Sequence, residues 1–312
     1  MTRRAAGIAG GLVLMATLPW LINVYPLYVL TLVLVSVISA VGLYFVTGLT
    51  GQVSLCHATF SGIAAYVVAV LGRDLGVPFW IGWPLGAVAA GAIGYLVGIP
   101  ALRLQGHYLA LATLGLGEIV LLLNVHWERL TNGPNGLEVP APRLGTVVLS
   151  SERGKYLLVL TAVVVMVAFA ANLQRSKLGL VLTAVMDSEV AAQAFGVRLA
   201  RYKVFAFALS AFYAGVAGGL YGVVVGFITP YEFGLWPSLW TLTMVVVGGM
   251  GYLWGAVLGA IVITALPEVL RGLKDYQELL YGVLILVTLV FKPSGLYGLV
   301  TGRRSTASKG SS

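Results

Sequence analysis

Three histidines, one cysteine and eleven acids are all that a chain of 312 residues offers for metal, nucleophilic or acid–base chemistry. Their spacing narrows the options. His57, His107 and His126 show no metal-ligand pattern, and Cys56 has no second cysteine for a disulfide or a metal cluster. His57, after "GQVSL", reads as a packed, hydrogen-bonded histidine. Glu118 is the only acid inside an apolar run, "LALATLGLGEIVLLL". A carboxylate in hydrocarbon is costly and by default marks a function or a paired group. As a functional group Glu118 would bind a substrate ammonium or relay a proton. As structure it would bond to Thr113, Arg103 or a helix end. An ion-coupled transporter usually needs more than one such charge, so its isolation argues modestly for another energy source. No paired acid and base, His–metal set or Ser–Lys pair falls at one depth, which speaks against an intramembrane enzyme. The chain also lacks the G-x-x-x-x-G-K-[ST] loop that cradles a nucleotide, so no ATP site and no cofactor is expected in it.

The elements that must position these residues are membrane helices. The chain is 59% hydrophobic and 10% charged, with mean hydropathy +0.95; soluble domains carry about 25% charged residues. Continuous apolar runs, without alternation, exclude a bacterial-type barrel. Forty glycines point to close helix packing. About 20 apolar residues span a bilayer, and ten candidate spans emerge, at roughly 5–22, 27–47, 54–72, 79–99, 107–125, 155–173, 203–227, 236–250, 254–270 and 279–291. The third, eighth and tenth are short or Gly-rich, and one could be re-entrant. The first is read as a retained helix, since no small-x-small cleavage pattern precedes the second. With the N-terminus in the cytoplasm, 12 of the 19 Lys and Arg fall on the cytoplasmic side, as the positive-inside rule asks. Both termini are then cytoplasmic. Trp20, Trp80, Trp83, Trp127 and Trp236 fall near outer span ends, where interfacial anchors belong. The net charge of +8 is thus a matter of sidedness, not of nucleic acid. The expected architecture is an all-α polytopic helix bundle, one transmembrane domain over 1–300, followed by a disordered polar tail, 301–312.

Two hydrophilic segments interrupt the spans. The cytoplasmic one, about 174–202, contains "DSEVAAQAFGV". Asp187 or Ser188 can cap a helix with Glu189 in its first turn. Val190 with Ala194, and Ala191 with Phe195, make an apolar stripe, and Gly196 supplies the stop. Such a two-turn helix cannot stand alone in water. It either lies on the membrane surface or docks to a soluble partner. Just upstream, "LGLVLTAV" can form a second short helix. The outer segment, about 126–154, contains "TNGPNGL", turn chemistry by its Asn-Gly and Pro residues. Between the second and third spans, "GLTGQVSLCHATFSGIAAYV" is Gly-interrupted and rich in hydroxyls, the pattern of a broken helix that lines a cavity. A faint internal echo pairs "GLTGQ" (48–52) with "GGMGY" (248–252).

Glu189-Val-Ala-Ala with Gly196 resembles the "EAA…G" cytoplasmic loop of ABC importer permeases. More closely, 176–222 is similar to branched-chain amino acid permeases of the LivM type. The resemblance continues through 48–67, 101–120, 131–137 and 245–260. Cys56 and Asn132 stand where a glycine is usual, and Met186 where a basic residue is common. The resemblance implies a pore subunit of the bacterial inner membrane, importing branched-chain or related amino acids. Its implied partners are two ATPase subunits that bind the ATP, a second similar permease, and a periplasmic or lipid-anchored binding protein. Asp187, Glu189, Ala191, Ala192 and Gly196 would then lie at the ATPase contact. Gly51, Gln52, Ser54, His57, Tyr108, Thr113 and Glu118 are candidates for the translocation path. Thr131, Asn132, Gly133, Asn135 and Gly136 are candidates for the binding-protein contact. A urea or short-amide permease shares these motifs, and an ion-coupled transporter centred on Glu118 is the reading from another class.

Overall fold

The computed structural model describes residues 2–101, 106–144, 147–269 and 295–301. Apolar sequence in lipid must satisfy its backbone groups internally, so it folds into helices. The order is α1 (Thr2–Leu21), α2 (Val24–Leu43), α3 (His57–Leu75), α4 (Phe79–Ala101), α5 (His107–His126), α6 (Glu128–Thr131) and α7 (Glu152–Arg175). It continues with α8 (Lys177–Asp187), α9 (Glu189–Ala194), α10 (Leu199–Val225), α11 (Leu235–Gly248), α12 (Leu253–Val269) and α13 (Gly295–Thr301). Four two-residue strands decorate the loops: β1 (Leu137–Glu138), β2 (Arg143–Leu144), β3 (Val147–Val148) and β4 (Phe227–Ile228).

Among the described residues six helices are long and apolar enough to cross a membrane: Val24–Gly48, His57–Leu75, Phe79–Pro100, His107–His126, Glu152–Arg175 and Leu199–Val225. They reproduce the expected spans to within a few residues. The eighth and ninth spans form α11 and α12, of 14 and 17 residues. The tenth, 279–291, lies outside the described residues, as do Arg103 and the tail beyond 301.

The third span begins later than hydropathy suggests. Helix α2 closes in a π turn, Tyr44–Gly48, and α3 starts only at His57. Residues 51–56 are irregular, yet Gln52, Ser54 and Cys56 are buried, as are Leu49 and Thr50 just before them. Helix α3 starts level with Ser39 of α2, to whose carbonyl His57 bonds. The chain therefore turns back inside the bundle and not at its surface. The two segments of the faint echo also meet here: a Cβ on Gly48 would overlap the carbonyl of Met250.

Helices α2 and α10 form the centre, each with 72% of its span window buried, against 17% for α5. Small residues allow the approach. A Cβ on Gly218 of α10 would overlap the Ser61 carbonyl of α3, and one on Gly42 of α2 would overlap Tyr213 Cβ of α10. Trp83, expected as an interfacial anchor, faces inward instead. Its indole N–H donates to the Val216 carbonyl at 3.0 Å, and its ring stacks on Phe79 with centroids 5.5 Å apart. A buried indole needs such an acceptor, and α10 supplies it. Trp20, Trp127 and Trp236 are exposed, as anchors should be.

Candidate functional site

The hydrophilic segment 174–202 builds two capped helices in succession. Ser176 Oγ accepts from Gly179 N to start α8. Ser188 Oγ accepts from Ala191 N at 3.2 Å to start α9. So Ser188, not Asp187, is the cap, and Asp187 ends α8. Gly196 follows α9 in the left-handed region, φ +80°, as its stop. The short helix is held by two contacts. Ala192 is buried, and Lys203 Nζ of α10 donates to Glu189 Oε1 at 2.6 Å. Lys203 is itself buried while the Glu189 side chain stays partly exposed, so a half-shielded ion pair joins α9 to the end of α10. Sequence spacing gave no sign of Lys203. The remaining apolar residues of the stripe point away: Val190 is 78% exposed and Phe195 89% exposed. The sequence placed Glu189 at the partner contact; its carboxylate is tied inward, and Val190, Ala191, Phe195 and Gly196 make the outward surface.

The candidate path residues divide between two places. Residues 50–57 are stitched to their neighbours. Thr50 Oγ1 donates to the Val46 carbonyl at 2.7 Å, Gln52 N donates to the same carbonyl at 3.2 Å, and Ser54 Oγ lies 3.5 Å from Cys56 Sγ. Leu55 N donates to Thr113 Oγ1 of α5 at 3.0 Å. His57 Nε2 lies 2.9 Å from the Ser39 carbonyl, which can only accept, so Nε2 carries the proton. The neutral ring's Nδ1 then accepts from Ser210 Oγ at 3.2 Å. His57 is thus the packed, bonded histidine expected, joining α2, α3 and α10. Gly51, φ +66°, is exposed with open space around it.

Thr113 faces this loop; Glu118 does not. Five residues apart on a helix, they point about 140° from each other. Thr113 is occupied by Leu55 N and the Ala110 carbonyl, so it is no partner for Glu118. Glu118 and Tyr108 sit on the exposed face of α5, beside an open apolar groove lined by Ile119, Leu122, Leu123, His126 and Trp127. Among the described residues Glu118 has no hydrogen bond or ion pair.

In the loop after α5, Thr131 Oγ1 donates to the Asn124 carbonyl at 2.6 Å and lies 2.8 Å from that of Trp127. Asn132, Gly133 and Gly136 all have positive φ, and Asn132 is the sole non-glycine of that kind among the described residues. Its Nδ2 donates to the Gly136 carbonyl at 2.9 Å. This explains why asparagine can replace a glycine: it is the side chain best suited to that region and can bond locally. Thr131, Gly133 and Gly136 are buried; Asn132 and Asn135 are exposed. The loop is then clamped to the end of α10, with Leu137 paired to Ile228 and Glu138 to Phe227. Asn132→Gly should leave thermal unfolding within a degree or two of the parent. Asn132→Val should destabilise by roughly 1–2 kcal/mol, because a β-branched residue resists positive φ. A differential scan of the purified protein checks both, and equal behaviour would refute the explanation.

A bundle of membrane-length helices, broken near its centre, with a short amphipathic helix presented at one end, defines a membrane transport subunit. Over residues 25–291 the chain matches the family described as branched-chain amino acid transport system / permease component. It belongs to that family. It is 34% identical over 309 residues to the high-affinity branched-chain amino acid transport system permease protein LivM of Escherichia coli K12, covering 91% of this chain and 73% of that one. To LivH of the same organism it is 26% identical over 283 residues, covering 83% and 90%. A probable LivM of Methanocaldococcus jannaschii is 25% identical over 241 residues, covering 68% and 67%. No solved structure matches. The chain is therefore an importer permease, a multi-pass membrane protein.

Proposed function

We propose that this permease carries branched-chain amino acids across the bacterial cytoplasmic membrane, powered by ATPases bound at α9. One observation carries the ATPase contact. Helix α9 is locked to α10 by the Glu189–Lys203 pair, while Val190 and Phe195 are left outside. Large exposed apolar side chains on a rigid, capped element mark an interaction surface. Asp187, Ala191 and Gly196 flank it, and Ala192 seats it. A closing ATPase dimer would push α9, and the ion pair would pass the push to α10.

The complex we propose contains this chain, a second related permease, two ATPases and a periplasmic or lipid-anchored binding protein. Both termini lie in the cytoplasm, as the basic residues favour. Relatives named LivM and LivH occur in one organism, and the greater identity to LivM puts this chain in the LivM position. The exposed face of α5 meets the second permease. Facing lipid, Glu118 would cost about 2.5–3.5 kcal/mol; a subunit interface or a water-lined path there removes that cost. Thr113 and residues 51–57 stand behind it, and the outer loop around Asn132 and Asn135 faces the binding protein.

The test is reconstitution. Proteoliposomes holding all five components should accumulate labelled leucine only with ATP and binding protein present. Leucine uptake that persists without ATPases, driven by an ion gradient, would overturn the proposal in favour of a secondary transporter.

A further inference from the structure

A cavity of ≈ 300 Å³ lies among the helices, beside the Ser39–His57 contact and with no residue of α5 in its wall. Helices α2, α3, α10 and α11 form its walls, and the turn Pro230–Phe233 closes its outer end. Its chemistry is divided. The outer end carries one carboxylate, Glu232. The deeper wall carries the hydroxyls of Ser36, Ser39 and Ser61, and Trp240 and Met244 add an apolar side. Ser36 and Ser39 are one turn apart on α2 and so share a face. None of these three serine side chains makes a hydrogen bond among the described residues. No basic residue lines the cavity.

Glu232 has a structural duty that occupies only part of it. It completes a capping box with Thr229, its Oε2 accepting from Thr229 N at 3.5 Å. The other oxygen has no hydrogen-bond partner among the described residues. Burial raises the carboxyl's pKa, the cost of a half-buried charge without a counter-ion. An arriving cation removes that cost, whereas an anion adds to it. Specific small-molecule sites are cavities of this size class, mostly apolar with a few convergent polar groups.

We propose that this cavity is a substrate site within the permease itself. It takes a small apolar α-amino acid: the ammonium pairs with Glu232, the carboxylate accepts from the serine hydroxyls, and the side chain lies against Trp240 and Met244. The proposal rests on the importer reading above and adds a place where the substrate pauses inside one subunit.

The test is equilibrium binding of labelled leucine to the purified permease–ATPase complex in nanodiscs, without binding protein. Saturable binding is expected. Glu232→Gln keeps the capping box, since glutamine serves there as well as glutamate, and removes only the charge; affinity should fall at least tenfold. Ser36→Phe fills the cavity and should abolish binding. Isoleucine should compete, and urea should not. Copurification of the ATPases certifies that each variant is folded, and Ser36→Ala replaces Ser36→Phe if the larger residue prevents assembly, with a smaller loss of affinity expected. The proposal is overturned if folded wild-type complex binds no leucine, or if both substitutions leave binding unmoved. ATP-driven leucine uptake by the complete wild-type system separates the two claims. If it persists while binding is absent, only the cavity proposal fails; if it too is absent, the importer reading fails.

Discussion

Gly196→Arg abolishes ATP-driven uptake, while the protein still inserts in the membrane and purifies with its helices intact. Two effects combine. Gly196 holds φ +80°, where an L side chain costs about 1–2 kcal/mol, and that alone loosens the end of α9. The larger effect is at the surface. A Cβ at this position would meet nothing within 4 Å among the described residues, so arginine fits the isolated permease and obstructs only what covers it. A buried, unpaired guanidinium at the contact costs several kcal/mol more. Phe195→Asp separates these causes. It leaves the backbone conformation alone and removes the most exposed large apolar side chain, 89% exposed, of the described residues. Both variants should lose copurifying ATPase as well as uptake. Normal uptake with unchanged ATPase copurification would remove α9 from the coupling contact.

Gly218→Val, by contrast, should destroy the fold itself. The new Cβ would overlap the backbone of Ser61, not the tip of a movable side chain. Helices α3 and α10 would have to separate. Gly215 next to it meets Ala87 and Ala90 of α4, and Gly42 on α2 meets Tyr213, so displacement has nowhere to go. Overpacking typically costs about 1–3 kcal/mol, and a backbone clash at the bundle's centre belongs at or above that upper end. The expected result is loss of the monodisperse peak on gel filtration and at least a tenfold lower folded yield. Gly82→Ala is the control, because its Cβ would meet Val68 Cα at an ordinary 3.8 Å. If both substitutions behave alike, the close approach of α3 and α10 is not limiting.

Hydropathy alone placed the spans well, because a bilayer leaves an apolar segment little choice but helix. The helix caps and stops at Ser188 and Gly196 were also legible, being local chemistry. What escaped was non-local. The stretch 48–67 read as a Gly-interrupted, cavity-lining segment, but what holds it in place did not show. It is held through Leu55 and His57, whose partners Thr113, Ser39 and Ser210 lie 18 to 153 residues away in sequence. Lys203 looked like one more basic residue at a span end; only the fold brings it to Glu189. Glu232 looked like an outer-loop acid, and nothing in its neighbourhood announced the serines of α2 and α3. The paths through Glu118 and Thr113 were read as one site because they share a helix, and helix geometry sends them to opposite faces.

Helix α10 joins features that the sequence keeps apart. It runs 27 residues without a proline, about 40 Å at 1.5 Å per residue. Lys203 at one end grips α9, and just past the other end β4 grips β1 of the loop that follows α5. The two docking surfaces of the proposed transporter are thus mounted on one unbroken rod. A rod of this kind works in both directions. If a loaded binding protein outside favours one pose of α10 and thereby tightens ATP binding, then ATP inside must tighten the grip on that binding protein by the same factor. The permease would act as a balance beam whose two pans are loaded from opposite sides of the membrane.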